Sequence, residues 1–139
     1  MIRWLNQGIM LLLCLLLTAC VAATQARLSE EFDVSVKSYN RMLRWHEIEK
    51  AGVIYIEPKL LDEYLKQAES LKKRGITFAD FRILTSHYLP GKNSGDVIAE
   101  FDYYIMPSNK VKTISYRQEW VYRESIKSWI LLTGLPVFK

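Results

Sequence analysis

The sequence predicts an α+β fold in which helices come first and an antiparallel meander follows. Apolar residues recur at helical spacing between positions 32 and 74, and from Gly75 onward they recur at every second position. Turn-forming clusters punctuate the second half, at Pro90-Gly91-Lys92-Asn93-Ser94-Gly95 and at Pro107-Ser108-Asn109-Lys110. Helices segregated from strands mean α+β and not α/β. The expected architecture is two main N-terminal helices packed on a curved antiparallel sheet of about four strands, a cone with a cavity at its wide end.

The first helix is expected to begin near Ser29 or Glu30. Phe32, Val36, Tyr39 and Leu43 form one stripe of a 3.6-residue period, and Met42 and Trp45 widen it. Lys37, Arg41, Arg44 and Glu47 fall largely outside that stripe. Glu30, Glu31 and Asp33 occupy the first turn, where the helix dipole favours negative charge. Residues 51–56 form a short apolar run, read as a helical or irregular piece covering the mouth of the core. Pro58 suits the first position of the next helix. Leu61, Tyr64, Leu65, Ala68 and Leu71 make its apolar stripe, with Glu63 and Gln67 facing away. Lys72-Lys73-Arg74 complement its C-terminal dipole, and Gly75 fits the left-handed stop.

Residues 76–89 read as a long strand with a bulge near Asp80. In 96–106, Val97, Ala99, Phe101, Tyr103 and Ile105 alternate with Glu100, Asp102 and Tyr104, the pattern of a strand with one buried face. Residues 111–122 give the third strand, with Ile114, Tyr116, Trp120 and Tyr122 on one side, and 127–132 give the last. The apolar tail Gly134-Leu135-Pro136-Val137-Phe138 is expected to plug the core.

Ahead of all this, residues 9–17 are an uncharged, Leu-rich run preceded by one basic residue, Arg3, and followed by small residues. That is the layout of a secretory signal peptide, and the run is short for a membrane-spanning helix. Residues 20–31 then read as a tether without periodicity. The 139-residue chain carries 19 basic and 15 acidic residues, dispersed apart from Lys72-Lys73-Arg74, so no concentrated basic face for nucleic acid is expected. Its two cysteines, Cys14 and Cys20, both lie in the N-terminal segment, which leaves the remainder without a disulfide or a thiol metal ligand.

Leu17-Thr18-Ala19-Cys20 resembles the lipobox of bacterial lipoproteins. The resemblance implies a signal peptide over 1–19, a lipidated tether over 20–31 and a folded domain over 32–139. It also implies palmitate-type acylation and a diacylglycerol thioether on Cys20, hence attachment to membrane lipid. Thr18 and Ala19 are small enough to admit the peptidase, whereas Leu12 and Leu13 before Cys14 are not. Val21 rather than an aspartate after the cysteine implies sorting to the outer membrane, facing the periplasm. Two or three chains would anchor the protein essentially permanently.

The order of elements resembles the nuclear transport factor 2-like fold, shared with ketosteroid isomerase and scytalone dehydratase. The residues that carry this likeness run from Val36 to Trp45, then Ala51 and Pro58, then Arg117-Gln118-Glu119-Trp120, Trp129 and Leu135-Pro136-Val137-Phe138. More narrowly, the chain is similar to small lipoproteins of proteobacteria built on that domain.

No nucleophile motif, phosphate loop or metal-ligand spacing is present in the sequence, and no cofactor is expected. His46 reads as a half-buried helix residue and His87 as an exposed or locally bonded one. Glu100 and Asp102 alternate with the apolar face and should meet solvent. Asp80 sits at the expected bulge, where a carboxylate serves as a local hydrogen-bond acceptor. Tyr103, Tyr116, Gln118 and Trp120 are the candidate cavity-lining residues. Gln118, a polar group on an apolar face, is the best single pointer to a ligand. Three classes of function follow. The leading one is a non-enzymatic, membrane-anchored envelope lipoprotein that binds a protein partner or a small apolar ligand. The second is a small-ligand module using the cone cavity. The third is an isomerase or dehydratase using Asp80 or His87.

Overall fold

A computed structural model describes the backbone of residues 2–139 and the side chains of residues 7–139. The basic head read at Arg3 lies outside the described side chains. The helices are α1 (Ile2–Arg44), α2 (Ile48–Tyr55) and α3 (Leu61–Lys73), and the strands are β1 (Ile76–Leu89), β2 (Ser94–Ile105), β3 (Lys112–Arg123) and β4 (Ser128–Leu131). The four strands form one antiparallel sheet in the order β1-β2-β3-β4. The fold is therefore α+β, with a long N-terminal helix and two shorter ones packed on a four-stranded open sheet.

The period-2 half of the chain folds as its alternation dictates. In β2, Gly95, Val97, Ala99, Phe101 and Tyr103 are buried while the residues between them are half-buried. In β3 the inner positions are Gln118, Trp120 and Tyr122. β1 carries the bulge expected near Asp80, where pairing shifts between Phe78 and Asp80, and a second at Leu84 between Ile83 and Thr85. Each bulge adds local twist, which lets a 14-residue strand curl around the helices.

α1 differs from expectation at its start. It runs unbroken through residues 20–31 instead of beginning near Ser29, and Leu28 is buried in the core with Phe32, Val36, Tyr39, Met42 and Leu43. Ala22, Ala23, Gln25, Ala26 and Arg27 are all strong helix formers, so the helix propagates without an amphipathic stripe to mark it. Tyr88 of β1 donates to Gln25 Oε1, fixing this part of the helix to the sheet.

The other end of α1 also corrects the reading. Trp45 lies outside the apolar stripe and is 65% exposed. The helix stops one residue later, at His46, which adopts φ 63°. The His46 N–H donates to the Leu43 carbonyl at 3.1 Å and the Glu47 N–H to that of Met42 at 2.9 Å, a Schellman closure. His46 is thereby exposed, not half-buried. Gly75 closes α3 with φ 71°, as its position before the first strand predicts.

The core lies between α1 and the concave side of the sheet. Gly95 lets α1 approach closely, because a Cβ there would overlap the Phe32 ring. α2 occupies the apolar run around residue 51, and a turn of 3-10 helix at Pro58–Leu60 leads into α3. The tail closes the structure as expected. Phe138 packs 5.4 Å from Phe78 and 4.8 Å from Tyr103, centroid to centroid, and Leu135 is buried beside it.

Candidate functional site

The inner face of the sheet carries one cluster of polar side chains, and it includes three of the four candidate residues. Tyr116, Gln118 and Trp120 are spaced by two on β3, so all three point toward α1. Opposite them stand Tyr39 and Asn40 of α1 and Tyr64 of α3. Gln118 and Asn40 are both fully buried.

These groups satisfy one another. Gln118 Nε2 donates to Asn40 Oδ1 at 2.8 Å, and Asn40 Nδ2 donates back to Gln118 Oε1 at 3.2 Å. Gln118 Nε2 also donates to the Tyr116 hydroxyl at 2.8 Å, while Trp120 Nε1 donates to Gln118 Oε1 at 3.3 Å. Asn40 Nδ2 has a further acceptor in the Val36 carbonyl at 2.8 Å. A second chain runs from the Tyr39 hydroxyl to the Tyr64 hydroxyl at 3.3 Å, and from there to the Ile48 carbonyl at 3.0 Å. Gln118 thus has both donor hydrogens and its carbonyl engaged, and the Asn40 amide is held on both sides as well.

Electrostatically the cluster is neutral. Burial pushes the phenols of Tyr39, Tyr64 and Tyr116 well above their ordinary value, so all three stay protonated through the physiological range. None of the residues named in the cluster is a carboxylate or a histidine. It can hold a fold in register, but it has no acid and base to move a proton.

The remaining candidates lie elsewhere. Tyr103 faces inward as its alternation predicts, yet Tyr116 pairs with Ala99, which places Tyr103 four residues down β2, ~13 Å along the strand. There its hydroxyl donates to the Lys139 carbonyl at 3.0 Å, beneath the tail. Asp80 is exposed, and its Oδ1 accepts the N–H of Phe81 at 2.8 Å, the local role its bulge position predicts. His87 is exposed near the end of β1. Gln67, expected to face away from the core, accepts the Leu135 N–H at 3.1 Å and helps seat the tail.

Glu100 and Asp102 lie on the outer face of the sheet. Arg82 bridges them, donating to Glu100 at 2.7 Å and to Asp102 at 2.8 Å, with Thr113 and Ser115 donating to the same two carboxylates. The Arg82 guanidinium, aided by Thr113, holds the Asp102 carboxyl down at about 2.

Of the main hollows on the surface of the described residues, none is lined by Tyr103, Tyr116, Gln118 or Trp120. The largest, about 350 Å³, lies between the end of α1, α3 and the start of β1, lined by His46, Ile48, Glu49, Lys72 and Thr77 among others. Asn40 is the functional partner that sequence reasoning missed. It sits at i+4 from Val36, squarely within the apolar stripe, and a polar residue there is the same signal that singled out Gln118.

The N-terminal part of α1 stands apart from the core. Leu11 to Leu13 and Leu15 to Leu17 are each at least 59% exposed, and Cys14 and Cys20 are exposed free thiols. The helix is long and apolar enough to cross a membrane, with a mean hydropathy of 2.3 over 18 residues, a test that a signal sequence near an N-terminus also passes.

No protein-family model matches the chain, and no curated protein matches it in sequence. Among solved structures, it resembles a SEC-C motif containing protein from Rhodopseudomonas palustris, with a TM-score of 0.58 at 13% identity over 75% of this chain and 77% of that one. At that identity the likeness shows the fold alone. The intermembrane space region of the chloroplast protein ARC6 aligns over 83% of this chain and 94% of its own, at 13% identity and a TM-score of 0.40.

Proposed function

We propose that this chain is a non-enzymatic envelope lipoprotein, held by acyl chains on Cys20 in the outer membrane and facing the periplasm, whose nuclear transport factor 2-like domain binds a protein partner. The observation that carries the reading is the closed interior. The polar groups at the centre of the cone are spent on one another, so recognition falls to the surface. A cone-cavity ligand site at Gln118 would need its amide turned from Asn40, at the cost of stranding buried partners. Catalysis by Asp80 or His87 has no supporting geometry, since both side chains are exposed and neither stands beside a buried phenol.

The anchor reading is supported by the run of Thr18, Ala19 and Cys20 at the end of an unburied Leu tract. Cys20 lies eight residues before the first core side chain, Leu28. Mass measurement of the mature N-terminus tests it. The expected result is a chain beginning at Cys20 and carrying thioether-linked and amide-linked acyl groups, and an unmodified Cys20 would refute it. The partner reading is tested by photo-crosslinkers placed in cells at Trp45, Met106 and Val111, exposed apolar residues at the end of the domain remote from Cys20. A discrete crosslinked protein band is expected. Adducts to small molecules alone would favour the ligand reading.

A further inference from the structure

The long helix fixes which end of the domain meets the membrane. α1 continues from the core straight through Cys20, and the Tyr88 hydroxyl bond to Gln25 pins it to the sheet five residues after that cysteine. Five helical residues span ~7.5 Å. Residues 20–25 are therefore a rigid spacer and not a slack tether, and whatever projects ~7–13 Å beyond Tyr88 reaches the level of Cys20.

The β1–β2 hairpin projects there. Tyr88 is followed by Leu89, then by Pro90-Gly91-Lys92, which form the tip before β2 returns at Ser94. Leu89 is 39% exposed, and Pro90, Gly91 and Lys92 are exposed as well. The β3–β4 turn is its neighbour at the same end of the sheet, since Ser94 pairs with Val121 and the Tyr122 N–H donates to the Asn93 carbonyl at 2.8 Å. That turn presents Ile126, 60% exposed, and Lys127. Arg27 is paired with Glu31 and Arg123 with Glu57, while Lys92, Lys127, Glu30 and Glu124 stand in no ion pair among the described residues, and Lys127 lines a hollow with Glu30 and Glu31 of α1. The β1–β2 tip thus carries Leu89 and Pro90 beside an unpaired lysine. Side chains of this kind enter a headgroup layer, the apolar part inward and the ammonium at the phosphates.

We propose that the β1–β2 tip, Leu89-Pro90-Gly91-Lys92, forms a membrane-contact face that rests on a bilayer surface bearing anionic headgroups. The face rests on the reading that α1 attaches the protein to a membrane at or before Cys20. The β1–β2 tip reaches the level of the cysteine and touches lipid directly. The β3–β4 turn starts from Trp129, packed 4.8 Å from Phe32, and Lys127 lies over Glu30 and Glu31 of α1, so this turn stands further back from the bilayer. The domain is held upright, with Trp45 and the β2–β3 turn turned away from the bilayer.

The test uses the full membrane-extracted protein, Cys14→Ser, reconstituted into phosphatidylcholine vesicles with or without phosphatidylglycerol. A nitroxide is attached at Gly91→Cys, where a side chain meets nothing within 4 Å, at Ile126→Cys, or at Lys110→Cys in the remote turn. Collision with a water-soluble nickel chelate and with lipid-soluble oxygen reports depth. The position 91 label is expected to be shielded from nickel and exposed to oxygen, and more so with phosphatidylglycerol. The label at 110 should stay open in both. Lys92→Glu should abolish the phosphatidylglycerol effect, at about fivefold per charge removed in the ratio of docked to lifted protein, whereas Lys127→Glu should leave it largely unchanged. A label at 91 as open to nickel as that at 110 would overturn the proposal. The mass of the same sample separates the two readings. Acylated Cys20 with an open label defeats the face and leaves the anchor, whereas a shielded label on unacylated protein defeats lipidation and leaves the face.

Discussion

Replacing Gln118 by leucine decides whether the inner cluster is scaffold or binding site. The substitution keeps roughly the same volume and strands three groups: the Tyr116 hydroxyl, Trp120 Nε1 and the amide of Asn40. A buried polar group that loses its partner costs about 1–3 kcal/mol. Asn40 keeps its bond to the Val36 carbonyl, which places the sum toward the lower half of that range per group. The added apolar surface returns roughly 1 kcal/mol. The expected net destabilisation is about 3 kcal/mol. Asn40→Leu alone breaks the reciprocal amide pair and the bond to the Val36 carbonyl, and should cost about 2 kcal/mol. The double variant should cost no more than about 3–4 kcal/mol, because the two amides no longer strand each other, a coupling of at least ~1 kcal/mol. Urea titration of the full chain in mild detergent, followed by tryptophan fluorescence and far-ultraviolet circular dichroism, reads all four corners of the cycle. An unchanged m-value would show that the comparison is of stability and not of residual structure. Single variants within about 0.5 kcal/mol of the parent, or strictly additive costs, would refute the scaffold reasoning and return Gln118 to the list of ligand contacts.

Leu28→Ala should lower stability by about 2–4 kcal/mol in the same assay, as a buried leucine would, whereas a loose tether over residues 20–31 predicts no change. On the acid side, Asp102 is held at about 2 by Arg82 and Thr113, below its unfolded value. Its contribution is present above about pH 4 and is lost as pH falls toward 2, and Asp102→Asn should flatten the acid limb of the urea-midpoint profile over that interval. On the alkaline side, Tyr39, Tyr64 and Tyr116 hold their protons more tightly folded than unfolded, so stability should fall as pH rises above their ordinary value of 10. Tyrosinate absorbance should show these three of the eight tyrosines titrating only with loss of the fold, and their reversible titration in a folded chain would count against the burial argument.

Much of the sheet was legible because its alternation is strong and its turns are chemically marked. The bounds of β1 and its bulge near Asp80 follow from the sequence, and β2, β3 and β4 fall within two residues of expectation. What escaped the sequence depended on long-range geometry. The face of Tyr103 was readable from its alternation, but its distance from Gln118 follows from register, which places it opposite Lys112. Trp45 stands two residues past Leu43, on the side of the helix turned from the Phe32, Val36, Tyr39 and Leu43 stripe, so its indole points outward, where Arg44 stacks over it at 5.1 Å. Gln118 was readable as an anomaly, a polar residue on an apolar face. Only the partner 78 positions earlier on α1 explains it, and no local pattern links the two. The helical start of α1 left no periodic mark because residues ahead of Leu28 bury little.

The interior and the ends of this domain therefore do different work. A buried network that is fully paired is costly to disturb, and it sets α1 against β3 in one register. That rigidity transmits along the helix. From Cys20 to Arg44 is 24 residues, ~36 Å of unbroken α-helix. A flexible linker of the same length would leave the domain free to rotate relative to Cys20. The continuous helix instead gives each end of the sheet a fixed distance from Cys20, with the β1–β2 tip near it and Trp45, Met106 and Val111 far from it. A protein partner reaching the domain from the end opposite Cys20 would meet those three exposed apolar residues and the hollow lined by His46, Glu49 and Lys72.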